Sequence, residues 1–192
     1  MPERESRGPQ RIGAPGAEAG VRIREWIAHG VVDLLAGHER IAALRGAIGA
    51  AYRIDLPPPG RAAGADGLQF LRTGAQRWQV RATRDRPGWI AALRGVAGDA
   101  ASVIDQSCAA RHFDVDGPRS RDALAKGLPI DLHPLAFKVD DCASTMVAHV
   151  TVSVHRLDDG NTFRFGVPRS YAGSWLDWLY ASAAEFGCEA TA

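Results

Sequence analysis

The stretch from Thr145 to Val167 restricts the fold more than any other part of the chain. Thr145 to Leu157 is a β-rich run with valines at 147, 150, 152 and 154. Asp158-Asp159-Gly160-Asn161 then supplies residues that tolerate positive φ, and a second run, Thr162 to Val167, follows at once. The pattern predicts an antiparallel hairpin. A hairpin with one apolar face is stable only when another layer covers it. The next segment can supply that layer: a helix capped by Ser170, running to about Phe186 and closed by Gly187. Trp175, Trp178, Leu179 and Phe186 share one of its faces at i, i+3, i+4 and i+11.

Upstream, Val21 to Arg24 alternates as a strand does, and Val31 to Leu35 is a second candidate. Glu39 to Tyr52 carries Ile41, Leu44, Ile48 and Tyr52 at i, i+3, i+7 and i+11, one face of a helix. Pro57-Pro58-Pro59-Gly60 interrupts regular structure, and Arg61 to Gly67 reads as an exposed loop. Leu68–Leu71 and Trp78–Arg81 are short strands about Gly74, and Trp89 to Leu93 is a helix after Pro87. Ser102–Asp105 and Phe113–Val115 are strands. Asp116 then caps a helix whose first turn holds Pro118, whose inner face holds Leu124 and whose end is Gly127. Ile130 to Phe137 is irregular. Strands and helices interleave with hairpins and without a regular β-α-β repeat, so the expected class is α+β, with two small ferredoxin-like lobes. The expected division is a disordered segment 1–20, one lobe over 21–99 and a second over 100–188.

Of the 192 residues, 46% are hydrophobic and 23% charged, close to the globular average of about 25% charged, so the chain can bury a core. A net charge of +1 predicts neither a nucleic-acid footprint nor a polybasic membrane surface. No run of about 20 apolar residues predicts a membrane span. The lead-in has no apolar core of a secretory signal. Three cysteines, Cys108, Cys142 and Cys188, are an odd number without a C-x-x-C pair, which fits free thiols in a reducing, cytoplasmic setting.

Few groupings suggest chemistry. Gly46-Ala47-Ile48-Gly49 is the nearest approach to a dinucleotide fingerprint, but it lies inside a helical stripe. Phosphate-loop and nucleophile-elbow motifs are absent. Cys108 and His112 are four apart, but no second ligand pair follows to complete a zinc site. Cys108 or Cys142 could pair with His112, His133 or His149 as a nucleophile, with nothing in the spacing to favour it. Asp131-Leu132-His133-Pro134 admits two readings: Asp131 orients His133 as a general base, or both tie a loop to nearby backbone. Arg169 and Tyr171, with Trp175 and Trp178, either belong to the fold or form a charged, aromatic contact with a partner.

Several of these segments together resemble the gamma subunit of heterotetrameric sarcosine oxidase. They are Asp116-Gly117-Pro118-Arg119-Ser120, continuing through Lys126-Gly127-Leu128-Pro129 to Ile130-Asp131-Leu132-His133-Pro134; Phe137; Cys142-Ala143-Ser144-Thr145; Arg169-Ser170-Tyr171 leading to Trp175-Leu176-Asp177-Trp178-Leu179; and Ala183-Ala184-Glu185-Phe186-Gly187. Asp105-x-Ser107 followed by Gly117-Pro118 is similar to the opening of the related folate-binding aminomethyltransferase fold. The resemblance implies a fold like the folate-binding domain of aminomethyltransferase, and structural roles for Asp105, Gly117, Pro118, Asp131 and His133. It implies partners, the alpha, beta and delta subunits, which carry FAD, FMN, NAD, tetrahydrofolate and zinc, with no cofactor, metal or catalytic residue on this chain. It further implies oxidative demethylation of sarcosine to glycine by the assembly, with the one-carbon unit passed to tetrahydrofolate. Where the aminomethyltransferase pattern places an acidic residue, Val147 to Val152 has none. The alternatives are the equivalent subunit of a sister complex, such as an N-methylglutamate dehydrogenase, and a stand-alone folate-binding protein.

Overall fold

The computed structural model describes residues 10–12 and 18–191. In chain order the strands and helices are β1 (Gln10–Ile12), β2 (Val21–Trp26), β3 (Val31–Ala36), α1 (Ile41–Tyr52), β4 (Ala62–Ala65), β5 (Leu68–Arg72), β6 (Arg77–Ala82), α2 (Trp89–Ala97), β7 (Ala101–Asp105), β8 (Ala110–Asp116), α3 (Ser120–Ala125), β9 (Cys142–Val147), β10 (Val150–Arg156), β11 (Phe163–Pro168), α4 (Ala172–Ala183) and β12 (Cys188–Thr191). They form two compact units. One comprises the described part of Met1–Trp26 with Arg111–Val139 and Thr145–Ala192; the other comprises Ile27–Ala110 and Asp140–Ser144. The lobes therefore interleave, where the sequence suggested consecutive lobes over 21–99 and 100–188. The reason is strand pairing: β2 lies between β8 and β12. Most of the expected disordered segment lies outside the described residues, but Gln10–Ile12 form β1, antiparallel to β12.

The unit built on Ile27–Ala110 has a sheet in the order β4-β5-β6-β3-β7, antiparallel at every pairing. Leaving β4 aside, the run β3-α1-β5-β6-α2-β7 is the ferredoxin-like β-α-β-β-α-β. Alternation sends Val32, Leu34 and Ala36 of β3 and Trp78 and Val80 of β6 to the side where Leu44 and Ile48 of α1 and Trp89 and Leu93 of α2 pack. Ile41 and Tyr52 close the ends of the α1 stripe. Trp78 is fully buried and its indole N–H donates to Pro57 O at 3.2 Å. A side chain of that size removes about 150–250 Å² from water. At about 25 cal/mol per Å² that contributes roughly 4–6 kcal/mol before entropy is counted.

The other unit has a seven-stranded sheet in the order β1-β12-β2-β8-β11-β10-β9. Here the ferredoxin-like run is β8-α3-β10-β11-α4-β12, with β2 inserted between its first and last strands. Phe113, Phe165 and Trp175 make the aromatic centre of its core, with ring centroids 5.4 and 5.2 Å from Trp175.

Four local expectations are corrected. Arg61–Gly67 is not a loop: Ala62–Ala65 is a strand, joined to β5 through Asp66 (φ 51°) and Gly67 (φ 76°). The Asp-Gly pair is a strong hairpin turn, but four small residues before it give no strand signal. Thr145–Leu157 is not one strand, because Ala148 (φ 47°) and His149 (φ 65°) turn β9 into β10 without glycine or asparagine. Asp116 does not cap α3; the helix starts later, at Ser120, and Asp116 ends β8 in ion pairs instead. Ser170 caps nothing, since Arg169–Tyr171 form a 3-10 turn before α4 starts.

Candidate functional site

Because Phe113 packs on Trp175 of α4, its neighbours His112, Asp114 and Asp116 point to the opposite face of the seven-stranded sheet. The antiparallel register sets Arg22 against Asp116, Arg24 against Asp114 and Trp26 against His112. Asp116 accepts from Arg22 Nε at 2.6 Å and from Arg24 Nη2 at 2.9 Å. Asp114 accepts both arms of Arg164, at 2.6 and 2.8 Å. The Arg164 guanidinium lies 3.7 Å from the centre of the Trp26 ring, and Trp26 meets His112 edge-on at 5.5 Å. His112, Asp114, Asp116, His155 and Arg164 are buried. This is the most concentrated buried polar constellation among the described residues. The sequence signal for it is the period-two run Arg22-x-Arg24-x-Trp26 against His112-x-Asp114-x-Asp116, a pattern that the site candidates read from the sequence do not contain.

The face is built to hold charge in place. A carboxylate gripped by a guanidinium fork has its lone pairs occupied. Asp114 and Asp116 are thus poorly suited to remove a proton. On the core side of the same strands, Arg111 grips Glu25, with Nε to Oε1 at 2.7 Å, and this hydrogen bonding raises the guanidinium pKa.

The residues singled out from the sequence take separate places. Asp105 accepts from the Ser107 hydroxyl at 2.6 Å and from its backbone N–H at 2.9 Å, which lowers its pKa. Ser107 Oγ in turn accepts from Val31 N at 3.1 Å, so the pair ties the end of β7 to β3. Gly117 sits at φ 112°, and a Cβ there would strike the Gly20 carbonyl; Pro118 beside it is exposed. Asp131 accepts from His133 N at 2.8 Å, and His133 Nδ1 accepts from Leu135 N at 3.3 Å. Both side chains are exposed and knot their own loop. Arg156, only 2% exposed, holds that loop from below by donating to Phe137 O at 2.8 Å.

The aromatic helix divides. Trp175 is wholly buried, so it belongs to the core and is not a contact for a partner. Trp178 is half-buried against Trp175 and Gly127, while Tyr171 and Arg169 are exposed. Of the two readings open for these residues, Trp175 takes the first, because it turns inward beneath Phe113 and Phe165.

Burial pushes the Cys142 and Cys188 thiols up to about 11, so neither is a thiolate at neutral pH. Among the described residues no three His, Cys, Asp or Glu side chains converge as a metal set. Gly46 and Gly49 lie within α1, so no phosphate-binding turn forms there. They line an open surface groove of about 710 Å³ with His38, Arg45 and Asp55. Among the described residues no helix is long and apolar enough to cross a membrane.

No protein-family model matches the chain. The sarcosine oxidase subunit gamma of Corynebacterium sp. strain U-96 is 28% identical over 143 residues, covering 73% of this chain and 69% of that one. Its counterpart in Arthrobacter sp. is 28% identical over 178 residues, covering 90% and 85%. The chain is homologous to sarcosine oxidase gamma subunits. A chain of the heterotetrameric sarcosine oxidase of Corynebacterium sp. U-96, solved with pyrrole 2-carboxylate, superposes with a TM-score of 0.78 at 26% identity, over 88% of this chain and 87% of that chain. The glycine cleavage system aminomethyltransferase T of Bartonella henselae superposes with a TM-score of 0.66 at 16% identity, over 90% of this chain and 48% of that one, and shows the shared fold.

Proposed function

We propose that the chain is the gamma-type subunit of a heterotetrameric flavoprotein sarcosine oxidase and contributes no active site of its own. In this reading the assembly demethylates sarcosine oxidatively to glycine and passes the one-carbon unit to tetrahydrofolate. Alpha, beta and delta subunits hold FAD, FMN, NAD, tetrahydrofolate and zinc, and the complex works in the cytoplasm. The observation that carries the reading is the superposition on a chain of the Corynebacterium assembly over nearly the whole length of both. The chemistry of the side chains supports it. Asp114 and Asp116 are committed to arginines, Asp131 and His133 to their own loop, and the buried thiols to the protonated state.

The test is to express the chain alone and with the alpha, beta and delta subunits of a sarcosine oxidase. Alone, it is expected to be colourless and inert toward sarcosine. Together, the four are expected to co-purify as one complex that produces hydrogen peroxide from sarcosine. A flavin-loaded preparation of the isolated chain, or a fully active complex that excludes it, overturns the reading.

A further inference from the structure

Arg121, in the first turn of α3, is partly buried and makes no hydrogen bond or ion pair with any described residue; its Nε has neither solvent nor acceptor. Arg156 stands across the same turn. The Ser120 hydroxyl donates to Asn161 O at 3.2 Å, and Arg156 Nε donates to Asp158 O at 3.0 Å, so Arg156 and the residue before Arg121 both hold the 158–161 turn. Burial first, then repulsion from Arg156, lowers the Arg121 pKa. Among the described residues the carboxylate that reaches Arg156 is Asp159, at 3.5 Å and with its own side chain 96% exposed, where solvent screens it. A buried guanidinium beside a partly exposed one whose Nε lacks an acceptor is a costly arrangement that an incoming carboxylate relieves.

The loop fastened by Arg156 adds an apolar element. Leu132 and Phe137 are buried at its ends, and Ala136 N and Phe137 N both donate to His133 O at 2.9 Å. With the Asp131 and His133 bonds described above, the backbone is held in one shape, yet Leu135 at its tip is 79% exposed. The side chain is offered on an ordered support, so little conformational entropy remains to be lost when it is covered.

We propose that residues 131–137, with Leu135 as the apolar anchor and Arg121 beside Arg156 as the charged one, form a docking site for a partner subunit that presents an apolar pocket edged by a carboxylate. The charge decides the partner's chemistry: a second cationic surface is repelled, and a purely apolar one leaves Arg121 unanswered. The inference rests on the gamma-subunit reading and names the surface that such a subunit uses.

The test uses the full chain and the catalytic flavoprotein subunit of a sarcosine oxidase complex, with affinity measured in solution and melting followed for each variant. Arg121→Gln and Leu135→Ser are each expected to weaken binding tenfold or more with the melting temperature of the free chain unchanged. Arg121→Lys should retain most of the affinity. Added salt should weaken the wild-type complex and affect Arg121→Gln less. Unchanged affinity in both folded variants, or weaker binding that follows a lowered melting temperature in both, overturns the docking site while leaving the gamma-subunit reading standing. A folded wild-type chain that binds no flavoprotein subunit overturns both.

Discussion

Asp114 and Arg164 lock together across neighbouring strands with two hydrogen bonds of 2.6 and 2.8 Å, at side-chain exposures of only 12% and 10%. Trp26 lies over the guanidinium and excludes water from one side. Removing one partner of such a pair strands the other, which costs about 3–5 kcal/mol, whereas replacing both with apolar groups is often neutral. Asp114→Ala is therefore expected to lower the urea midpoint sharply, and Asp114→Leu combined with Arg164→Met to recover most of the loss. A wild-type midpoint for Asp114→Ala would show that the pair does not clamp the sheet.

Trp175 and Trp178 are expected to behave differently under the same substitution. Trp175→Ala empties the space between Phe113 and Phe165 and should cost about 3–5 kcal/mol. Trp175→Phe should cost much less, because the buried indole N–H has no acceptor to lose. Trp178 rests on Gly127, where a Cβ would stand 2.8 Å from Cζ2. Gly127→Ala should thus destabilise the chain, and Trp178→Ala should relieve part of that penalty. Thermal melts of the double mutant test it: strict additivity would remove the contact.

Thiol labelling at pH 7.5 should report one fast cysteine. Cys108 is exposed, while Cys142 and Cys188 are buried with pKa values near 11. Dithionitrobenzoate is expected to modify Cys108 promptly and the other two only when the chain opens. Their rates should therefore rise with urea in step with unfolding. Three equally fast thiols would contradict the burial.

The acid limb of the stability curve should contain a contribution from Asp105. Its pKa is depressed in the folded chain by the Ser107 hydroxyl and backbone N–H. The unfolded chain then takes up the proton first as pH falls. The contribution is complete above the unfolded carboxylate pKa and disappears as pH drops through the lower folded value. Asp105→Asn and the wild type should therefore converge in urea midpoint as pH is lowered from 6 toward 2. A constant gap over that range would place the effect elsewhere.

Residues with periodic patterns were the legible ones. The stripe Ile41, Leu44, Ile48 and Tyr52 specifies α1, and the alternating valines specify β10. Turns that rest on Ala148 and His149 carry no such mark, because positive φ there is imposed by strand pairing and not by residue type. The loop role of Asp131 and His133 is local chemistry, and two adjacent residues suffice to suggest it. The polar face is not local: Arg24 and Asp114 are distant in sequence, and exposed-looking charges read as a solvated surface until the register opposes them. The choice between core and partner contact for Trp175 was illegible for the same reason, since its inward turn depends on Phe113 and Phe165, which come from strands distant in sequence.

The insertion of β2 between β8 and β12 has a consequence for synthesis. During translation, β2 leaves the ribosome long before either neighbour exists, and its parallel partner β12 follows only after every strand from β3 to β11 has been made. By then the segment from β3 to β7 has everything it needs to form its own sheet. One lobe can mature on the nascent chain while the other waits with a strand open along both edges. That waiting strand carries Arg22 and Arg24 side by side on one face. Charges placed so are expected to discourage that strand from pairing with an identical strand of a sibling chain.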